Sequence, residues 1–100
     1  MNITINAVNF NVDKKLEDFT EKKVQKLFTL NEDIQSVSVS LKLEKDEAKE
    51  NKVAEIKVKI PYASDSFASK QCKTFEEAVD QSVDALKKIV VKAKEKIRAK

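Results

Sequence analysis

The chain has no glycine, no histidine and no tryptophan, and its 100 residues include one cysteine, one proline and one tyrosine. Each absence removes a class of chemistry. Without glycine, no Gly-rich turn can bring backbone amides close around a phosphate, so the nucleotide-cradling loops are excluded. Without histidine, and with Cys72 alone, no zinc constellation, Cys/His pair or Ser/His/Asp triad can be assembled. A lone cysteine makes no internal disulfide, which fits a reducing compartment. No apolar run approaches the ~20 residues of a membrane span. The start, Met1-Asn2-Ile3-Thr4-Ile5, has neither the basic nor the apolar region of a secretory signal. What remains is a cytoplasmic binding protein rather than an enzyme, with no cofactor, no small-molecule substrate and no membrane partner.

What the chain does have is charge, at 37% of residues, beside 41% hydrophobic content. That balance and the length suit one globular domain spanning residues 1–100. The last quarter organises the rest. Thr74-Phe75-Glu76-Glu77 reads as a capping box, in which the Thr74 hydroxyl takes the Glu77 amide and the Glu77 carboxylate returns to the Thr74 N–H. Phe75, Val79, Val83, Leu86, Val90, Ala93 and Ile97 then recur at helical spacing and fall in one stripe. Acids come early in this helix and bases late, as the helix dipole favours. Residues 85–100 hold seven basic groups and one acid, whereas residues 1–84 hold thirteen bases and sixteen acids. Lys87, Lys94 and Arg98 line one flank of the stripe, and Lys88, Lys92 and Lys96 line the other. A dipole needs one or two cations in its last turn, so the excess points to an anionic partner. The plainer reading is a solvated helix end kept soluble by lysine.

Ahead of this helix the pattern changes period. Asn2 to Phe10 alternates as a first strand, and Asp13 sits at the N-cap of a helix running to about Leu30. Leu16, Thr20, Val24, Leu27 and Phe28 form its apolar face, with Phe19 at one edge. Lys15, Lys22 and Lys26 make a stripe beside it, with Lys23 at the margin and Glu17, Asp18 and Glu21 partly neutralising it. Asn31 closes the helix in the role that glycine more often fills. Ile34 to Glu44 alternates strictly, Val37, Val39, Leu41 and Leu43 against Ser36, Ser38, Ser40 and Lys42. A polar loop from Lys45 to Asn51 leads to a strand from Val53 to Ile60 that Pro61 ends. Ser66 to Cys72 makes a fourth strand. Both helices bury one stripe, so the expected fold is α+β: a two-layer sandwich, β-α-β-β-β-α, with a four-stranded sheet and both helices on one face. The first two strands are a candidate parallel pair joined by a right-handed crossover.

This order, together with Leu16 through Leu27, Ala68-Ser69, and Thr74-Phe75-Glu76-Glu77-Ala78-Val79-Asp80 leading to Leu86, Lys88, Lys92, Lys94 and Lys96, resembles the family of ribosome hibernation promoting factor and ribosome-associated inhibitor A, in its short form. The likeness covers essentially the whole chain, and Ala78-Val79-Asp80 before the lysine-rich helix is its most specific piece. It implies a fold like a double-stranded-RNA-binding domain with an added first strand. It also implies binding to the small ribosomal subunit, on 16S rRNA and neighbouring ribosomal proteins, between head and body over the decoding region. Translation would be silenced there in starved or stationary cells. The family's RNA-facing basic positions match Lys23 and Lys26 on the first helix and Lys88, Lys92, Lys94, Lys96 and Arg98 on the second. Lys22 and Lys87 are basic additions to the same surface.

The chain departs from the family pattern at Glu76, where relatives often carry an aromatic residue, at Cys72 and Tyr62, where glycine is frequent, and at Glu17, which is basic in some relatives. The helical spacing turns Val91 outward among the lysines. Two other readings stand beside the resemblance: a generic double-stranded-RNA-binding module, and a protein-interaction domain with a basic helix. Binding to free duplex RNA as tight as binding to subunits would separate the first from ribosome recognition.

Overall fold

The computed structural model describes residues 2–44, 50–62 and 64–98, with side chains up to position 95 in the last helix. Its elements run β1 (Asn2–Val8), α1 (Lys14–Leu30), β2 (Ser36–Leu43), β3 (Lys52–Lys59), β4 (Ser66–Cys72) and α2 (Phe75–Arg98). The sheet order is β1-β2-β3-β4, with β1 parallel to β2 and the other pairs antiparallel. The expected α+β order and the parallel opening pair are both present. Most of the loop expected at Lys45 to Asn51 lies outside the described residues.

Period-two alternation sorts the strands into two faces. Val37, Val39 and Leu41 of β2 oppose Val58, Ile56 and Ala54 of β3, and all are buried. Ala68 and Cys72 of β4 extend this face on one side, and the half-buried Ile3 and Ile5 of β1 extend it on the other. Against it pack Leu16, Val24 and Leu27 of α1 and Ala78, Val79, Val83, Leu86 and Val90 of α2, in one cluster. Burying a side chain of this size is worth about 1.5–3 kcal/mol, so this shared core fixes both helices on the same face. The other face shows Ser38, Lys57, Lys59 and Phe67 to water.

Local chemistry sets the boundaries. The Asp13 carboxylate accepts the Leu16 amide at 2.8 Å, capping α1 as its position suggests. Strand β1 stops at Val8 rather than Phe10, because Asn9 turns the chain at φ 69°. Asparagine tolerates that left-handed conformation better than most residues, in a chain without glycine. Asn9 Nδ2 also donates to the Leu43 carbonyl at 3.3 Å. Phe10, released from the strand, stacks on Phe75 at the start of α2, with centroids 4.4 Å apart. β2 begins at Ser36, two residues after Ile34, which is buried in the approach to the strand.

Three expectations are corrected. Asn31 caps α1 in extended geometry, φ −147° and ψ 102°, and not in the left-handed form that glycine would take. The capping box of α2 is half present: the Thr74 hydroxyl accepts the Glu77 amide at 3.1 Å, but the Glu77 carboxylate accepts from Gln81 Nε2 at 3.3 Å. Val91 is half-buried, and the exposed apolar residue on this stretch of α2 is Ile89, at 40%. Among the described side chains of α2, Val90 is the last fully buried one, and Ala93 still packs partly against the core.

Candidate nucleic-acid interface

Two parallel facts build the candidate surface: each helix is amphipathic, and both bury their stripes in the same core. The flank of each helix beside the other therefore forms a seam, and lysines from both helices meet there. Lys23 Nζ of α1 lies 2.9 Å from Asp80 Oδ1 of α2, and 5.6 Å over the Phe19 ring. The Lys23 hydrogen bond holds the Asp80 carboxyl below its ordinary value against the opposing effect of desolvation, with Lys23, Lys87 and Lys26 adding charge attraction. Asp80 is thus gripped by Lys23 and feels the positive charge of both helices. Farther along, Lys94 Nζ lies 3.7 Å from Glu32 Oε1 at the end of α1, and Lys87 Nζ lies 3.3 Å from Asp84 Oδ1 one turn back.

The nine basic residues singled out from sequence divide into three groups. Lys23, Lys87 and Lys94 are ion-paired and half-buried. Lys22, Lys26, Lys88 and Lys92 are exposed and form no ion pair with any described residue. Lys96 and Arg98 lie on the helix, but their side chains are outside the described part. Ion pairs open to solvent on one side, as these are, are worth about 0–1 kcal/mol, so the paired lysines cost little to transfer to a phosphate. The unpaired four present bare charge. At 100° per residue, Lys88 and Lys92 sit on the outward and far side of α2, away from the seam where Lys23 and Lys87 lie.

A polar residue that the sequence marks only as the end of α1 ties the seam together. Asn31 is fully buried and its Nδ2 donates to the Val90 carbonyl of α2 at 3.1 Å and to the Tyr62 hydroxyl at 3.2 Å. Its Oδ1 accepts the Asp33 amide at 3.0 Å. No local signal marks such a residue, because its main partner lies 59 positions along the chain.

The sheet's open face offers less. A dent of about 150 Å³ there is lined by Ser36, Ser38, Lys57, Lys59 and Asp65, and Lys57 is already paired with Asp65 at 3.3 Å. Phe67 beside it is 57% exposed, without an aromatic partner for base stacking among the described residues. Lys42 is raised from its ordinary value by its hydrogen bond and charge contact with Glu55, 2.8 Å away. Among the described residues no three His, Cys, Asp or Glu side chains gather to hold a metal, and no helix is long and apolar enough to cross a membrane.

Comparison with known proteins gives the geometry a family. Two solved structures superpose on most of the chain. A ribosomal subunit interface protein from Coxiella burnetii shares the fold at TM-score 0.82 and 21% identity, covering 95% of this chain and 99% of that one. The N-terminal domain of Protein Y from Thermus thermophilus superposes at TM-score 0.77 and 26% identity, covering 92% of this chain and 98% of that one. No curated protein sequence matches. The model of one family, described as sigma 54 modulation protein / S30EA ribosomal protein, matches residues 3–98. A match over nearly the whole of the β-α-β-β-β-α chain, with the lysine-bearing helices inside it, shows that this chain belongs to the sigma 54 modulation protein / S30EA ribosomal protein family.

Proposed function

We propose that this protein is a ribosome hibernation factor, a single ribosome-binding domain over residues 1–100. It binds the small ribosomal subunit between head and body, over the decoding region, and blocks messenger and transfer RNA by occupying their place. Its family is one of ribosome-associated, non-enzymatic factors. The finer reading is supported chiefly by one observation: Lys22 and Lys26 on α1, and Lys88 and Lys92 on the outer side of α2, are exposed and form no ion pair with a described residue, while the seam between the helices holds further lysines in weak ion pairs. The partner is 16S rRNA with neighbouring ribosomal proteins, and the setting is the cytoplasm of starved or stationary cells.

The mechanism is electrostatic docking followed by steric exclusion. Each lysine that neutralises a phosphate releases condensed counterions, so log K falls by about 0.7–0.9 per contact for each decade of salt. Phosphate contacts carry no sequence information, so the protein must read the shape of folded rRNA. No chemical step is needed for this mechanism.

The test is co-sedimentation with separated small and large subunits across a salt series, with free duplex RNA as competitor. The expected result is salt-sensitive binding to the small subunit that duplex RNA does not displace. Changing Lys22, Lys26, Lys88 and Lys92 together to glutamate should abolish it while circular dichroism shows the helices intact. Binding that survives those four changes would refute the assignment of this surface. Binding to duplex RNA alone would make the protein a generic RNA binder.

A further inference from the structure

The turn after α1 does more than end a helix. Asn31 is buried with its amide committed to the Val90 carbonyl in the middle of α2 and to Tyr62 in the turn after β3. The next residue, Glu32, reaches Lys94 at 3.7 Å, one turn past Val90. At the other end of the seam Lys23 grips Asp80 at 2.9 Å. The two helices are therefore pinned at both ends of their contact, and Lys88 and Lys92 flank the Asn31 anchor on α2.

Stability alone does not call for an amide here. A buried amide must be fully bonded to offset its desolvation, and an apolar residue of similar volume often serves stability as well. The Val90 carbonyl lies within the helix ladder, so Asn31 engages its second lone pair. What this bond adds over apolar packing is direction. Greasy surfaces slide and rotate on one another at small cost, but α2 cannot shift along α1 without breaking the Asn31 bond. A slide of one residue is about 1.5 Å, well beyond the ~0.5 Å range of N–H···O hydrogen-bond distances. Phosphate contacts without base readout give selectivity only if the cations are held at fixed spacing.

We propose that Asn31, backed by Tyr62, is the positioning residue that fixes the register of α2 against α1, and so makes the lysine surface select folded RNA of matching shape over regular duplex. The proposal rests on the ribosome-binding reading above, and its experiment separates the two. Wild type, Asn31→Leu and Tyr62→Phe are compared by three measurements: hydrogen exchange of the α2 amides after Val90, affinity for the small subunit, and affinity for free duplex RNA at the same salt.

In Asn31→Leu the amides of residues 91–95 should exchange faster, and subunit affinity should fall about tenfold, equivalent to ~1.4 kcal/mol. Duplex affinity should stay within about twofold, because duplex binding takes charge without needing register. Tyr62→Phe should move the same quantities in the same direction by less, and it decides the matter if Asn31→Leu does not fold. A folded Asn31→Leu protein with an unchanged subunit-to-duplex ratio overturns the proposal, as does an equal loss for both ligands, which would mark Asn31 as merely structural. Unchanged exchange after Val90 overturns the clamp itself. If wild type binds no subunit, the ribosome-binding reading fails and takes the selectivity claim with it, while the exchange data still judge the clamp.

Discussion

Replacing Thr20 with valine tests the packing of α1 at an unusual atom. Thr20 is fully buried among Leu16, Val24 and Leu27, and its Oγ1 has no hydrogen-bond partner among the described residues. A stranded buried hydroxyl costs about 1–3 kcal/mol in lost hydration. Valine puts a methyl in nearly the same volume, and the two residues have similar helix propensity. The substitution therefore removes the penalty and leaves the helix's intrinsic preference unchanged, for an expected gain of about 1–2 kcal/mol. In a domain of this size each kcal/mol raises Tm by about 4–8 °C. Urea unfolding should show a higher midpoint with an unchanged slope, since the buried surface is the same. Equal or lower stability would refute the reasoning. It would mean that the hydroxyl is satisfied in solution, by the Leu16 carbonyl one turn back or by an internal water.

The other predictions concern ionisable groups. Burial first, then the nearby Glu77 and Glu50 charges, pushes the Cys72 thiol up, and it lies in the core. It should resist a thiol-specific reagent at neutral pH and react only as the protein unfolds; rapid labelling of the native state would contradict its placement. Asp80 has a lowered native value, so the stability it contributes is present above about pH 3.9, the ordinary carboxyl value, and is lost as pH falls through the lower native value. Asp80→Asn should flatten that acid limb. The change should stay below about 1 kcal/mol, because the pair is partly exposed and screened by solvent.

Much of the fold is legible in the sequence where one physical rule acts alone. Val37, Val39 and Leu41 alternate with serines because one face of β2 is dry and the other wet. Asp13 announces α1 because a capping carboxylate acts on amides three residues away. The basic composition of the two helices was legible too, but not which cations are free. Lys22 and Lys23 are neighbours in sequence, yet one is exposed and the other bonded to Asp80, and only the packing of α1 against α2 decides that. Asn31 shows the limit most sharply. Its composition suggests a left-handed cap, a local role. The structure spends the side chain instead on partners 31 and 59 residues away, and the backbone takes an extended path to reach them. Asn9 does adopt the left-handed form, ending β1 early where alternation alone runs on to Phe10.

The stretch of α2 past Val90 has a thermodynamic consequence of its own. Lys88, Lys92 and Lys96 repeat every four residues, as do Lys94 and Arg98, and like charges at that spacing oppose each other by about 0.2–0.5 kcal/mol per pair. Among the described side chains the fully buried ones of this helix stop at Val90, so the core does less there to offset this repulsion. A polyvalent anion seated along the tail cancels the repulsion and so tightens the helix that holds it. If the proposed RNA partner seats there, helix order in the tail and occupancy are linked functions of one equilibrium: binding is read out in the protein's own backbone, and whatever loosens that backbone weakens the grip.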